Sequence, residues 1–544
     1  MIGTPVTVGE MLSELLPRLR NARTRSIPRW PADVFGLMAT LVQRAGLYGV
    51  VLTNWPPADD YYDVCVEASC AWRSAAERGS ALPREVLRLW RDVTQHWNTP
   101  IPTLVASSDE VKSILTLMAI ADECGAGLGG IFETRDFDEY TSQASSLLEN
   151  GSLCEEIHPS RLRVLPKRRT PPSGMNIRSL SLHLACTYGC EVTPQWVPLG
   201  SLAESPDTFN LIVIPFPFEV QPLWFKSAVA NPDEAGNMDS TRFGFFTTER
   251  ESDPNLISHL LNAAISEGKR QVGQIHMVLF PELALTLEEH AAAWKIAEAA
   301  GAVLMAGVGV TSPSESSAGT NTVYVSDPSF GTEPYKQSKH HRWRLDRSQI
   351  LTYQLGATLN PSKDWWEYIA IRDRRQHFFQ MARWMLIAPL ICEDLARPDP
   401  TGDVIRSIGP DLVIAFLMDG PQLANRWPAR YATVLAEDPG CSVLTITSLG
   451  MALLSRPPGA TVSRKIASWK DPVNGLREIE VNADKDVAVV LTLNQDTRRN
   501  EGFRQVSADG RTNAVNRGFP ILSRWSCIKL GEEIQGRKGI GDKD

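Results

Sequence analysis

Nine short apolar runs crowd the stretch between residues 176 and 495: NIRSLSLHLAC, FNLIVIPFPF, IHMVLFPELAL, AVLMAGVGV, NTVYVSD, WMLIAPLIC, DLVIAFLMD, CSVLTITS and DVAVVLTLN. They are continuous instead of alternating, which is the pattern of strands covered on both faces. Helical stretches separate several of them. The clearest is TLEEHAAAWKIAEAAG, with Thr286 and Glu289 in capping-box spacing and Gly301 as its stop. Strands alternating with helices predict an α/β architecture built on layered sheets.

At 544 residues the chain is longer than one hydrophobic core usually serves, so more than one domain is expected. Residues 1–158 read as a helical accessory domain. Apolar positions recur at helical spacing through VTVGEMLSELLPRL, PADVFGLMATLVQRAG, LPREVLRLWRDVTQHW and SSDEVKSILTLMAIADECGAG, the last opening with Ser107 and Glu110 in capping-box spacing. Residues 159–175, rich in proline and arginine, read as an exposed linker. Residues 496–544 read as a C-terminal extension, polar at first and disordered at its end. Gly125, Gly127 and Gly130 match GxGxxG, yet they follow a helix instead of a strand, so a helix C-terminus explains them better than a dinucleotide site.

Composition narrows the function classes. A net charge of -8 spread over this length argues against nucleic acid as the main partner. No apolar run reaches the length needed to span a bilayer, and the first residues lack the pattern of a secretory signal, so a cytoplasmic protein is expected. Nine scattered cysteines suit free thiols, not a disulfide framework.

Three of the strand-like segments end on residues with reactive side chains. Glu282 follows HMVLF and Pro281, which is expected to end the strand, and partial burial there would raise its pKa toward that of a working base. Cys392 ends WMLIAPLI and precedes EDLARPDP, a switch from apolar to charged residues that places the thiol at an exposed edge. Lys339 lies in YKQSKHHRW, where an ammonium would stabilise an oxyanion, while His340 and His341 read as surface residues. Each alone has an ordinary reading: a solvated glutamate, a small buried hydrophobe, a surface lysine.

Together they resemble the nitrilase superfamily, also called carbon–nitrogen hydrolases, over roughly residues 176–495. The resemblance is carried by Phe280-Pro281-Glu282, by Tyr335 through Lys339 and His341, and by Ile391-Cys392. The later text DLVIAFLMDGP and RWPARYATVLAEDPGCSVLTITSLG is similar as well. It implies an α-β-β-α sandwich with an added N-terminal helical domain. It also implies an amidase-like hydrolysis of non-peptide carbon–nitrogen bonds through a cysteine thioester, with Glu282, Lys339 and Cys392 as the triad and no metal or organic cofactor. The backbone N–H of Glu393 would assist at the oxyanion. Family members often carry a second glutamate shortly after the lysine; Gln349 and Gln354 stand in that stretch, and Glu367 lies further along. Lys336 is a rival to Lys339. The implied partners are a small-molecule amide or nitrile and further copies of the chain, with neither nucleic acid nor membrane. The alternative is a regulatory or interaction protein, of the kind found in some bacterial defence systems, whose nitrilase-like domain binds a metabolite while the N-terminal domain contacts a protein partner.

Overall fold

The computed structural model describes residues 6–48, 60–106, 108–130, 138–171, 176–189, 191–199, 206–228, 239–310, 318–329, 331, 333–371, 374–455, 461–482, 486–496 and 518–529. Among them no helix is long and apolar enough to cross a membrane.

The N-terminal unit is helical, as the periodicity requires. Its centre is the helix Pro31–Ala45, buried on every side from Pro31 to Val42 and stopped by Gly46 in the left-handed region. Val8–Leu15 and Ser108–Glu123 pack against it, Tyr61–Arg78 and Arg84–Gln95 pack against Ser108–Glu123, and Glu139–Leu148 packs against Tyr61–Arg78. Ser107, expected as a cap, lies outside the described residues. The GxGxxG glycines form the turns after Ser108–Glu123, where Gly129 lies against the Lys167 carbonyl so closely that a Cβ would collide with it.

The expected linker is exposed only at Ser160 and Arg161 among its described residues, and from Leu162 to Pro171 it is not. Leu162–Pro166 is a strand paired antiparallel with Leu184–Tyr188, and Leu162 and Val164 belong to the N-terminal core. Arg163, Lys167 and Arg168 are buried because each finds acceptors. Lys167 Nζ donates to the carbonyls of Arg178 and Ser181, and Arg168 Nε donates to Asp411 at 2.6 Å. The hairpin of residues 162–188 thus packs mainly on the N-terminal core, while its Leu165 joins the core of the sheets that follow.

Beyond it lie two seven-stranded sheets. In the first, the order is Tyr335–Ser338, Thr320–Ser326, Val303–Val310, Met277–Leu285, Thr208–Val213, Asp486–Asp496, Phe519–Lys529. In the second, it is Arg477–Glu480, Lys465–Lys470, Ser442–Thr447, Leu412–Leu417, Met385–Ile391, Arg375–Ala382, Thr193–Pro198. The sheets face each other through one core that joins Phe280 and Met305 to Ile387, Phe416 and Leu444. Helices Pro254–Val272 and Leu287–Ala300 cover the outside of the first sheet, and Trp427–Glu437 covers the second. This is the expected α-β-β-α sandwich. Of the expected C-terminal extension, Asp496 ends the strand Asp486–Asp496 and Phe519–Lys529 is an edge strand of the first sheet. Its apolar residues Phe519, Leu522 and Ile528 are buried, which the polar text before it obscured.

A third sheet was not legible in the sequence. Arg344–Leu345, Asp364–Glu367, Phe243–Thr248 and Phe225–Ala228 form four strands with an aromatic core of Phe225, Phe246, Trp343, Tyr353 and Trp365. The connections that carry these strands thus reach the sandwich, where Glu367 meets Lys339.

Candidate active site

Glu282 owes its position to a bulge. Pro281 does not end the strand, which continues to Leu285, but the register against Val303–Val310 shifts between Phe280 and Leu285 and Leu283 has φ 51°. A left-handed non-glycine residue costs free energy, so the surroundings must impose it. One cause is Gly307 on the neighbouring strand, whose missing side chain admits the bulged backbone. The carboxylate is 3% exposed. Its Oε1 accepts from Lys339 Nζ at 2.7 Å and from Asn321 Nδ2 at 2.8 Å, and its Oε2 accepts the backbone N–H of Met418.

Lys339, 2% exposed, follows the edge strand Tyr335–Ser338, and its own N–H donates to the Asn321 carbonyl at 3.0 Å. Its ammonium also donates to Glu367 Oε2 at 2.7 Å. Glu367 ends a strand of the third sheet, where its Oε1 accepts from Asn321 at 2.8 Å and its Oε2 accepts the N–H of Trp343 at 3.1 Å. One ammonium is thus held between two buried carboxylates that share an asparagine. Lysine has three donor hydrogens. Among the described residues two are engaged, leaving one for a ligand.

Cys392 terminates Met385–Ile391 and opens the short turn Cys392–Leu395 with φ 47°, a second left-handed position at the site. It is 3% exposed, not at an exposed edge as its charged neighbours suggested. Those neighbours point elsewhere. Glu393 pairs with Arg397 at 3.3 Å, while Asp394 is buried and accepts the His340 N–H at 3.0 Å and His341 Nδ1 at 2.8 Å. This contact ties the turn bearing Cys392 to the segment bearing Lys339. It also explains why His340 is buried and not on the surface.

The remaining expected auxiliaries lie away from the lysine. Gln349 forms a capping box with Asp346, and Gln354 is a left-handed residue that donates to the Leu454 carbonyl. The acidic partner of Lys339 is Glu367, brought in by the third sheet. Lys336 is exposed and lies over the Tyr324 ring, whereas Lys339 is the buried lysine that meets Glu282. Sequence reasoning missed Asn321, whose signal was a lone amide at the start of the apolar strand NTVYVS. The signal for Glu367 was an acid among the aromatics of WWEY.

Burial dominates the protonation states. It pushes the Glu282 carboxyl up, with Glu367 adding to the rise and Lys339 opposing it. Burial would lower the Lys339 pKa, but Glu282 and Glu367 outweigh it and hold the ammonium charged. The Cys392 thiol is raised well above its ordinary value by burial and by Glu282, against the pull of Lys339. The thiol therefore rests protonated beside a carboxylate that is a stronger base than usual.

A cavity of about 220 Å³ reaches Glu282, Leu283, Met418 and Ser448 from outside. It adjoins a larger one of about 700 Å³, sharing Pro217, Trp224, Glu249 and Arg250 as common walls. Among the described residues no group of three or more His, Cys, Asp or Glu side chains is arranged to hold a metal ion.

No protein-family model and no curated protein matches the chain. Solved structures do. An amidase from Nesterenkonia sp. is 13% identical over 54% of this chain and 93% of its own, with a TM-score of 0.33. Saccharomyces cerevisiae Nit3, a member of branch 10 of the nitrilase superfamily, is 12% identical over 55% and 94%, with a TM-score of 0.34. A carbon–nitrogen hydrolase from Helicobacter pylori G27 is 11% identical over 50% and 86%, with a TM-score of 0.31. The likeness covers about half of the chain and leaves out the N-terminal domain.

Proposed function

We propose that the protein hydrolyses a non-peptide carbon–nitrogen bond, as an amidase does, with Cys392 as nucleophile, Glu282 as general base and acid, and Lys339 as oxyanion donor. The observation that carries this reading is the Lys339 ammonium held between Glu282 and Glu367 with one hydrogen left over, beside a thiol that feels both Glu282 and Lys339.

The Cys392 sulfur attacks the carbonyl carbon as its proton passes to Glu282, and the carbonyl electron pair moves onto oxygen. A raised carboxyl and a raised thiol suit this transfer, because the base gains strength where the acid is weak. Lys339 and the backbone N–H of Glu393 hold the oxyanion in a water-poor site, where fixed donors act strongly. The carbon–nitrogen bond then breaks, and Glu282 returns the proton to the leaving nitrogen. Water activated by the same carboxylate cleaves the thioester, releasing the acid and restoring the thiol. Glu367 and Asn321 keep Lys339 charged and aimed throughout.

The test is ammonia release from a panel of amides, carbamoyl compounds and nitriles by the unaltered protein and by Cys392→Ala. Turnover that survives the substitution sinks the proposal. Saturable binding without turnover would favour the regulatory reading instead.

A further inference from the structure

We propose that Asp419 determines specificity by accepting a hydrogen bond from a neutral N–H of the substrate, so that the reacting group is a carboxamide or carbamoyl group and not a nitrile. The inference rests on Cys392 being the nucleophile.

The two residues leave adjacent strand ends. Leu412–Leu417 runs parallel to Met385–Ile391 with Phe416 opposite Ile391, so Cys392 and Asp419 leave the same end of adjacent strands about 4.8 Å apart, Asp419 two residues beyond the position level with Cys392. The Asp419 charge acts on the Cys392 thiol. Met418, immediately before Asp419, donates its N–H to Glu282 and lines the cavity that reaches it.

Asp419 is 5% exposed, and its two oxygens are used unequally. Oδ1 accepts from the Tyr353 hydroxyl, from the Gly420 N–H at 2.7 Å and from Arg426 Nη2 at 2.6 Å. Oδ2 is buried and has no partner among the described residues. Buried polar atoms are nearly always paired, so an orphan beside a nucleophile calls for an occupant. Arg426 already balances the carboxylate's charge. What Oδ2 lacks is a proton donor, not a cation, and this favours a neutral N–H over an ammonium or amidinium.

Asn321 repeats the pattern. Its Nδ2 lies between two carboxylates, which only accept, so the orientation of its amide is fixed and Oδ1 is another buried acceptor without a partner, in direct line with Glu282 and Glu367 through the same amide. Against these stands one spare donor, on Lys339. One donor for an oxygen and acceptors for N–H groups complement an amide; a nitrile has no hydrogen to give.

Acrylamide and acrylonitrile test this without knowledge of the natural substrate. Each adds the Cys392 sulfur to its terminal alkene carbon while the thiol proton ends on the neighbouring carbon, and only acrylamide carries N–H. Labelling of Cys392 is followed by peptide mass mapping, and each rate is divided by that of glutathione with the same reagent. The expected normalised preference for acrylamide is about tenfold or more, the worth of one hydrogen bond. Asp419→Asn, which places an N–H where Oδ2 stood, is expected to bring it close to one. Tyr353→Phe, which leaves Oδ2 in place, is expected to keep it. A preference near one in the unaltered protein overturns the proposal, and this arm holds even if Asp419→Asn does not fold. A preference that persists in Asp419→Asn also overturns it and assigns Oδ2 to a trapped water. Failure of both reagents to reach Cys392 while other cysteines react overturns the nucleophile assignment itself.

Discussion

Gly307 and Glu282 approach so closely that a methyl group on Gly307 would lie 2.6 Å from the Glu282 Cα, with the Pro281 carbonyl nearer still. The obstacles are backbone atoms of a bulge, not the end of a flexible side chain, so the bulge itself must move. Gly307→Ala is therefore expected to cost roughly 1–3 kcal/mol of stability. Activity should fall by about 100-fold or more, since small misplacements of reacting groups are that costly. Ammonia release and thermal melting together check it; a stable variant with normal turnover would show that the bulge does not place Glu282.

Glu367 and the two glutamines make opposite predictions. Glu367→Gln keeps the shape of the side chain but leaves Lys339 with one carboxylate, and turnover should drop by about two to three orders of magnitude, the scale of losing an electrostatic stabiliser. Gln349→Ala should lose only a helix cap, about 1 kcal/mol, with turnover near normal. Gln354→Ala should do even less, because its side chain is exposed. Steady-state rates of the three variants separate the roles, and a large loss of turnover in either glutamine variant would restore it as an auxiliary.

The pH dependence follows from burial. Glu282 must be ionised to take the thiol proton, and its pKa is raised, so kcat/KM should fall on acidification through a value above the ordinary carboxylate range. The Cys392 thiol is raised too, so little thiolate exists at neutral pH. Iodoacetamide should accordingly label exposed Cys70 faster than Cys392. An acid limb near pH 4 or below, or Cys392 as the fastest-labelled cysteine, would contradict this account.

Asp33 supplies a stability prediction in the N-terminal domain. It accepts the N–H groups of Glu155, Glu156 and Ile157, yet full burial raises its pKa from 3.8 to about 6. A carboxyl whose folded pKa lies above its unfolded value favours the folded state most at low pH. That stability is present below the unfolded value and is lost as pH rises through the folded one, amounting to about 3 kcal/mol. Asp33→Asn cannot ionise, so its melting temperature relative to the unaltered protein should rise between about pH 4 and pH 7. A constant difference would mean that Asp33 does not titrate there.

The strands, the sandwich and the strand end that carries Cys392 were legible because buried parallel strands are continuous apolar runs and their termini are abrupt, whereas Glu282 sits inside its strand on a bulge that no apolar pattern marks. Glu367 was not legible, because it arrives on a third sheet assembled from short strands separated by more than 100 residues, and no local pattern encodes such pairing. Cys392 was misjudged in exposure for a related reason. Asp394 looked like the start of a solvated loop, but its acceptors are used internally by His340 and His341. Charged residues signal exposure only when their partners lie in water.

The same lesson governs the segment read as a linker. Asp411 is buried between Arg168 and Arg169, and its Oδ2 also accepts the N–H of Leu386, at the start of the strand that ends on Cys392. Removing one partner of a buried ion pair typically costs about 3–5 kcal/mol, because the other charge is left uncompensated. Arg168→Met should therefore destabilise the sandwich, by less than that because Arg169 still pairs with Asp411. A chain beginning at residue 176 lacks both arginines and should be poorly soluble. Asp411→Asn in that shortened chain removes the stranded charge and should recover part of the soluble yield. A shortened chain as soluble as the full protein, with no gain from Asp411→Asn, would return residues 159–175 to the role of a simple connector.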